Sequence, residues 1–248
     1  MIRVKNERQI EGIRASCQML SDMYEELRPL VRPGITPEEL DTFAYDFIIR
    51  NGGKPAFLGY EGFPATLCVS VNEVVIHGIP DDRPLKEGDI VGIDSGIELN
   101  GYFSDAAMTL PVGTISDEAQ RLLNVTRESL NLAIARVGPH ARISDISRAV
   151  FSYATKNGFK VVRQYCGHGV GLEIHEDPQI PNYVSVGPNP RLMPGMVLAI
   201  EPMINIGTSD VRVLDDDWTV VTMDGSLSAH FEHTVLVTDS GCEVLTHW

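Results

Sequence analysis

Apolar and polar positions alternate with two different periods along the chain, and these periods divide it into helices and strands. Over residues 6–27 apolar side chains recur at steps of three and four, which predicts an amphipathic helix. The segment Thr36-Pro37-Glu38-Glu39 supplies an N-cap, a proline at the first helical position and an acid at the third, so a second helix is predicted from there to Asn51. Two further helices are predicted over 117–137 and 144–157.

Short runs of apolar residues between these helices predict strands. The predicted strands cover 66–76, 90–97, 102–112, 159–164, 196–206, 219–222 and 229–237. The second and third are joined by a turn, and this hairpin brings Asp94 and Asp105 towards one site, because cross-strand neighbours lie about 5 Å apart. Connections this short exclude parallel crossovers, so we expect an α+β architecture with a curved, largely antiparallel sheet. We expect residues 1–248 to form one domain.

A weak internal repeat suggests that the chain consists of two similar halves. Gly88 to Asp94 matches Gly195 to Glu201, with a glycine six residues before an acid and an isoleucine just before that acid. The segment Ile76-His77-Gly78-Ile79-Pro80 likewise matches Ile174-His175-Glu176-Asp177-Pro178. If the repeat reflects duplication, the acids of both halves meet at a pseudo-two-fold axis in the middle of the sheet.

Four acids and one histidine lie in or beside apolar runs, where a carboxylate is costly unless a cation compensates it. These residues are Asp94, Asp105, His168, Glu201 and Glu232. Taken singly, a strand acid is usually a surface residue, and a histidine in apolar surroundings is usually a hydrogen-bonded core residue. Basic residues are not interleaved with these five, so divalent metal is the partner that suits all of them together.

The charge of this set predicts two divalent ions. We expect Asp105 and Glu232 to bridge them, Asp94 to chelate one, and His168 and Glu201 to complete the other. Such ions lower the pKa of a bound water and polarise a carbonyl, which indicates metal-assisted hydrolysis. Carboxylate and imidazole donors suit Mn, Fe, Co and Zn alike.

The bulk composition excludes several other classes of protein. The chain has 20 basic and 34 acidic residues, a net charge of −14, which argues against nucleic-acid binding and against an anionic membrane surface. Its four cysteines form no Cys-x-x-Cys pair, and no apolar run approaches the roughly 18 residues of a membrane span. We therefore expect a cytoplasmic protein with free thiols, and a monomer.

Five motifs are distributed over essentially the whole chain. They are the run from Val71 to Pro80, Cys166-Gly167-His168-Gly169-Val170-Gly171, Ile200-Glu201-Pro202-Met203, Asp216-Asp217-Trp218-Thr219 and Ser228-Ala229-His230-Phe231-Glu232-His233-Thr234. In sequence and in order they resemble those of the type I methionine aminopeptidases, members of the pita-bread metallopeptidase superfamily (peptidase family M24). The resemblance implies a pseudo-two-fold symmetric α+β fold with helices on the outer face of the sheet, and the same five metal ligands.

The resemblance also implies roles for residues that spacing alone does not assign. His77 resembles a histidine that contacts the scissile peptide, His175 one that stabilises the tetrahedral intermediate, and Glu201 a residue that shuttles a proton. The methionine pocket of the family corresponds to Tyr60, Phe63, Cys68 and Trp218 together with both histidines. Phe63 replaces a frequent tyrosine, and Ile174 replaces a frequent phenylalanine, so the shape of the pocket is expected to differ.

The resemblance further implies a substrate and leaves two alternatives. The substrates would be nascent polypeptides at the ribosome, cleaved after an N-terminal methionine when the second residue is small. One alternative is a proline-directed aminopeptidase or dipeptidase of the same superfamily, although such enzymes usually carry an extra N-terminal domain and a Pro-Gly where this chain has Pro202-Met203. The other is an inactive module that only binds peptides, which is expected to have lost metal ligands.

Overall fold

Four α-helices follow the predicted pattern closely in a computed structural model that describes all residues 1–248. They are α1 (Glu7–Leu27), α2 (Pro37–Arg50), α3 (Asp117–Ile134) and α4 (Ile143–Lys156). The side chains of Asn6 and Thr36 both cap their helices in reciprocal capping boxes with the third helical residue. Each such cap stabilises its helix by about 1 kcal/mol. None of the four helices combines the length and hydropathy needed to cross a membrane.

The strands are short except for one long hairpin. They are β1 (Lys54–Pro55), β2 (Cys68–Val71), β3 (Val74–Ile76), β4 (Ile90–Leu99), β5 (Tyr102–Pro111), β6 (Lys160–Val161), β7 (Cys166–Gly169), β8 (Glu176–Pro181), β9 (Val197–Ile200), β10 (Met203–Asn205), β11 (Val211–Val213), β12 (Val220–Thr222), β13 (Ser228–His230), β14 (His233–Val237) and β15 (Cys242–Val244). All the pairings between them are antiparallel.

Three of the predicted strands are interrupted, and one is much shorter than predicted. The strand over 66–76 breaks after β2 because Asn72 takes a left-handed conformation with φ of 54°. The strand over 196–206 breaks at Glu201 and Pro202, where a proline has no N–H to give to a ladder. The strand over 229–237 breaks between β13 and β14, beside Glu232, and the strand over 159–164 shrinks to β6. Two of the breaks thus fall at predicted metal ligands.

The strands form two three-stranded sheets, a four-stranded sheet and a five-stranded sheet, and the last two are similar halves, as the repeat predicts. In the first half β4 lies between β2 and β5, and in the second half β9 lies between β7 and β14. The matched glycines Gly88 and Gly195 both take left-handed conformations, with φ of 93° and 86°. A bridge between Ala107 of β5 and Glu232 joins the two halves. The acids of both halves therefore meet where the halves join.

Helix α1 supports the hairpin that carries the first two acids. The Tyr24 hydroxyl donates to the Ala106 carbonyl at 2.5 Å, next to Asp105, and the Ser16 hydroxyl donates to the Ile97 carbonyl at 2.9 Å. Both side chains are fully buried. Because a buried hydroxyl without a partner is costly, these contacts fix the position of α1 on β4 and β5. Helices α3 and α4 pack against each other and against strands of the second half.

Candidate metal centre

The hairpin β4–β5 places two aspartates on one face of the sheet. Asp105 is paired with Gly96, and Asp94 is paired with Ala107, so the two acids are diagonal neighbours offset by two residues. Side chains two residues apart along a strand point to the same side, so both carboxylates address one site. The sequence-based prediction for this pair agrees with their placement.

The second half supplies the histidine and the two glutamates. His168 lies on β7 opposite Ala199 of β9, Glu201 follows the last residue of β9, and Glu232 precedes β14. Glycines flank His168 because the neighbouring backbone is very close. A Cβ on Gly167 would lie 2.4 Å from the Ala199 carbonyl oxygen, and one on Gly169 would lie 2.3 Å from a carbonyl of the strand on the other side. Any side chain at either position would push the histidine strand away.

The five predicted ligands form two overlapping groups of donor atoms. Asp94, Asp105 and Glu232 offer oxygens that all lie within 4.8 Å of one another, and so do the donors of His168, Glu201 and Glu232. A third group joins Asp105 and His168 with His175. Glu232 is the one residue common to the two groups made up only of predicted ligands, which is the arrangement expected of a ligand shared between two ions.

The distances within this cluster fit a shared cation better than direct hydrogen bonds. His168 Nε2 lies 3.5 Å from Glu201 Oε1 and 3.6 Å from Asp105 Oδ2. These separations are too long for a good hydrogen bond, whereas two atoms bound to one ion at about 2.1 Å each lie within about 4.2 Å of each other. Asp94 Oδ1, Asp105 Oδ1 and Glu232 Oε1 are buried with no hydrogen-bond partner. The donor set therefore fits divalent metal.

The electrostatics of the cluster give the same result. Burial raises the pKa of Asp94 to about 7, and it raises the pKa of Asp105, Glu201 and Glu232 well above their usual range. Mutual repulsion adds to the increase, because the charges of Asp94 and Glu201 also raise the pKa of Asp105. Burial lowers the pKa of His168 to about 3, so its ring is neutral and free to donate a lone pair. A bound cation would favour the ionised carboxylates and would relieve this repulsion.

The two matched histidines flank the cluster from opposite halves. The ring of His175 lies 4.4 Å from that of His168, between centroids, and its Nδ1 lies 2.9 Å from the Tyr60 hydroxyl. His77 takes a left-handed backbone with φ of 57°, and its ring contacts those of Trp218 and Tyr165. Burial lowers the pKa of His77 to about 4, with smaller contributions from the charges of other histidines. Both rings line the same cleft as the metal ligands.

An apolar pocket opens into this cleft, which has a volume of about 600 Å³. Phe63, Cys68 and Ile174 belong to one buried cluster, with Trp218 packed against it. The Phe63 and Trp218 rings meet edge to face at 5.1 Å between centroids. The structure thus packs Phe63, Cys68 and Trp218 together along the cleft, and Tyr60, the fourth residue predicted for the methionine pocket, lines the same cleft.

Sequence reasoning missed several residues of the site. Phe57 contributes to the apolar cluster, and Tyr165 contacts His77, yet no motif singled out either residue. His230 is buried, its Nε2 has no hydrogen-bond partner, and that atom lies 3.6 Å from Glu201 Oε2. A signal for His230 did exist, because it lies two positions before Glu232 in a segment with strand periodicity.

Comparisons with known proteins agree with this geometry. A model of metallopeptidase family M24 matches residues 11–239. The chain is 53% identical over 247 residues to a methionine aminopeptidase from Treponema pallidum, covering 99% of this chain and 96% of that protein. A methionine aminopeptidase structure from Rickettsia prowazekii superposes with a TM-score of 0.97 at 40% identity, and each chain is fully covered.

A more distant structure shows the fold alone. The prolidase from Pyrococcus furiosus superposes with a TM-score of 0.80 at 24% identity, and this chain covers 65% of its length. The α+β pita-bread architecture is therefore shared more widely than close sequence similarity, and the higher identity together with the near-complete coverage distinguishes the methionine aminopeptidases. The chain belongs to metallopeptidase family M24 and, within it, to the methionine aminopeptidases.

Proposed function

We propose that this chain removes the N-terminal methionine from nascent polypeptides whose second residue is small, with two divalent ions at the cluster of Asp94, Asp105, His168, Glu201 and Glu232. One observation carries the proposal. Buried, unpaired carboxylate oxygens and an apolar pocket with sulfur and aromatic walls line the same cleft. The first feature suits hydrolysis assisted by metal, and the second suits a flexible thioether side chain.

The donor groups support the assignment of the ligands. Asp94, Asp105 and Glu232 would hold one ion, and His168, Glu201 and Glu232 the other, with Asp105 as a second shared ligand. When bound, the ions supply a water of lowered pKa and polarise the peptide carbonyl. Mn, Fe, Co and Zn all accept this donor set, so metal availability decides which ion is used.

The apolar end of the cleft would position the substrate. The methionine side chain would lie between Phe63, Cys68 and Trp218, where thioether sulfur makes favourable contacts with ring edges. Phe63 and Ile174 shape this wall with apolar atoms only. The peptide bond after the methionine would then lie beside His77 and the carboxylates, and the second residue must be small because it lies close to them.

Three side chains would handle protons and developing charge. Glu201 would accept the proton of the attacking water and pass it to the leaving amine. His77 would contact the scissile peptide, and His175 would donate to the oxyanion. The Tyr60 hydroxyl lies 2.9 Å from His175 Nδ1, and by donating there it would place the proton of the neutral ring on Nε2, the nitrogen available to the substrate.

The remaining parts of the proposal concern the setting of the enzyme. We propose that residues 1–248 form a single catalytic domain, because one apolar core joins α1, both halves of the sheet, α3 and α4. We further propose a monomeric cytoplasmic enzyme that acts on chains emerging from the ribosome. Its net charge of −14 supports the absence of nucleic-acid binding.

The test uses purified protein with added Mn(II) or Co(II) and two peptides, one beginning Met-Ala and the other Ala-Pro. Release of free methionine from the first peptide alone supports the proposal. Cleavage of the second alone would instead identify a proline-directed peptidase, and cleavage of neither would favour a peptide-binding module. A third peptide beginning Met-Leu tests the second residue, and its equal cleavage would contradict the requirement for a small side chain.

A further inference from the structure

The loop that carries His175 is held by a buried ion pair with the N-terminal arm, residues 1–6. Lys5 Nζ lies 2.9 Å from Glu176 Oε2, and both side chains are only 1% exposed. Most other ion pairs of the chain involve a half-exposed or fully exposed partner, for example Arg3 with Glu173 in the same arm. A buried pair is costly to form and far more costly to break, so its position in the fold is informative.

Glu176 closes the turn on which His175 lies. Its second oxygen, Oε1, accepts hydrogen bonds from the backbone N–H groups of Leu172 at 2.7 Å and Glu173 at 3.2 Å. Together with Lys5 the carboxylate therefore has three donors, and they span the segment that leads to His175. Because Glu176 is the residue after His175, these bonds to Leu172 and Glu173 connect the backbone on both sides of the imidazole.

Lys5 connects this turn to the strand that leads to Glu201. Its backbone N–H donates to the Gly195 carbonyl at 2.8 Å, just before β9. Its side chain then passes Gly171, where a Cβ would lie 3.5 Å from Lys5 Cε. Gly171 in turn accepts a hydrogen bond from Phe103 of β5, the strand of Asp105. One lysine thus fixes the His175 turn relative to strands from both halves of the metal centre.

His175 needs such support because it is the exposed histidine of the site. The side chains on either side of it, Ile174 and Glu176, are buried, whereas His175 is exposed to the cleft. Its one hydrogen bond to a side chain comes from Tyr60, which is itself 36% exposed. The backbone of the turn must therefore position the ring. The Lys5–Glu176 pair is the polar contact that fixes this turn on its buried side.

We propose that Lys5 and Glu176 form a positioning pair that sets the His175 imidazole against the metal centre, so that the N-terminal arm contributes to turnover. This inference rests on the role proposed above for His175. Both side chains of the pair are only 1% exposed, so each would act through the turn rather than on the substrate. Displacing a catalytic group by about 1 Å costs as much as 100-fold in rate, so loss of the pair should lower kcat about 10- to 100-fold.

The test is a double-mutant cycle between Lys5→Met and His175→Ala, with kcat and KM measured for a Met-Ala peptide. Lys5→Met should lower kcat about 10-fold or more with KM within about three-fold, and it should have no further effect in the His175→Ala background. Equal losses in both backgrounds would overturn the proposal, because a general loss of structure does not depend on His175. Arg3→Met, which breaks the exposed pair of the same arm, is the matched control and should change kcat less than about two-fold.

Two further measurements keep the outcome decisive. In protein labelled with ¹⁵N-histidine, the ring signals of His175 should shift in Lys5→Met and not in Arg3→Met, whatever the activity; unchanged signals would overturn the proposal. If Lys5→Met does not fold, Glu176→Gln and the double variant Lys5→Met/Glu176→Gln, which leaves no unpaired charge, replace it. Wild-type kcat in a folded double variant would also overturn it, whereas full activity of His175→Ala would contradict the proposed role of His175 instead.

Discussion

The first half of the molecule brings its acids to the metal centre from inside a continuous ladder, whereas the second half brings its acids from positions where strands break. Asp94 and Asp105 lie within two paired strands of ten residues each. Glu201 and Glu232 lie just outside β9 and β14. The first half uses the shorter acid, aspartate, and the second half the longer one, glutamate.

The difference shows two ways of fixing a buried carboxylate. In a ladder the register fixes the backbone, so a short side chain reaches the site and has little freedom there. At a strand break other groups must hold the backbone. The Asn182 amide donates to the Glu201 carbonyl at 2.9 Å, and the Trp248 indole donates to the Glu232 carbonyl at 3.0 Å. Side-chain contacts also reach the first half, where Thr234 of β14 bonds both backbone groups of Asp105, but there they add to a ladder that already fixes the register.

The largest expected effect comes from exchanging one acid of each half for its amide. Glu232 belongs to both groups made up only of predicted ligands. Glu232→Gln should therefore weaken the binding of both ions and lower kcat by more than about 100-fold. Asp94 belongs to one group, so Asp94→Asn should weaken the binding of one ion only. Titration calorimetry with Mn(II) measures both sites, with Glu25→Gln as an exposed control. Equal weakening of both ions by Asp94→Asn, or two metals and full activity in Glu232→Gln, would contradict the shared role of Glu232.

A second prediction concerns how the free energy of unfolding depends on pH in the metal-free wild type and in metal-free Asp94→Asn. Burial raises the folded-state pKa of Asp94 to about 7, above an unfolded value of about 4. The folded protein therefore holds a proton that the unfolded chain releases, and Asp94 loses its stabilising contribution as pH rises from about 4 to about 7. Urea unfolding in the presence of a chelator measures the free energy of unfolding of wild type minus that of the variant. This difference should fall between pH 4 and pH 7, roughly, and stay constant above that range.

Saturating Mn(II) should abolish that fall, because the cation favours the charged carboxylate. The difference between two proteins is the useful quantity, since the buried histidines titrate in both. A difference that is independent of pH would show that Asp94 is not buried as an acid in the metal-free state. It would also show that the ladder does not force the two aspartates together without metal.

A smaller effect concerns a contact between the halves. The Tyr60 hydroxyl lies 2.9 Å from His175 Nδ1, where it would select the ring tautomer proposed above, so Tyr60→Phe should lower kcat about 5- to 10-fold with little change in metal affinity. Tyr45→Phe, the same substitution at an exposed position of α2, is the matched control. A rise in KM with unchanged kcat would instead assign Tyr60 to the methionine pocket alone.

Local signals in the sequence were sufficient for some parts of the fold. The Thr36 N-cap, the hairpin and the match between the two halves follow from short-range patterns, and so does the encounter of Asp94 with Asp105. One strand break could be predicted from the sequence, because Pro202 follows Glu201 directly. The break beside Glu232 has no such marker. It arises from the bridge to Ala107, a contact between residues far apart in sequence.

The supporting contacts of the site were harder to predict for the same reason. Lys5 and Glu176 read as an ordinary surface lysine and glutamate, and nothing near either one indicates that the two are paired. Phe57 likewise gains its role only from neighbours in space. The ligands were recognisable because an acid in an apolar run is unusual in itself, whereas the groups that hold the ligands are unusual only in their partners.

The smallest expected effect tests the side-chain support of the second half at the methionine pocket. The carboxylate of Asp216 accepts hydrogen bonds from the backbone N–H groups of Trp218 and Thr219 and from the Thr219 hydroxyl. Asp216→Ala removes all three, so the loop that carries Trp218 should loosen and KM should rise about 3- to 10-fold with kcat nearly unchanged.

The adjacent position supplies the control for that experiment. Asp217 has φ of 65°, a left-handed conformation that glycine adopts more easily, so Asp217→Gly should keep the loop and leave KM within about two-fold of wild type. Phe63, which the first half of the molecule contributes to the pocket, needs no such hydrogen bonds because it is packed in the apolar cluster. If Asp216→Ala instead lowered kcat and left KM unchanged, the loop would act on the metal centre rather than on the pocket. Side-chain support in the second half would then extend from the carboxylates to the whole cleft.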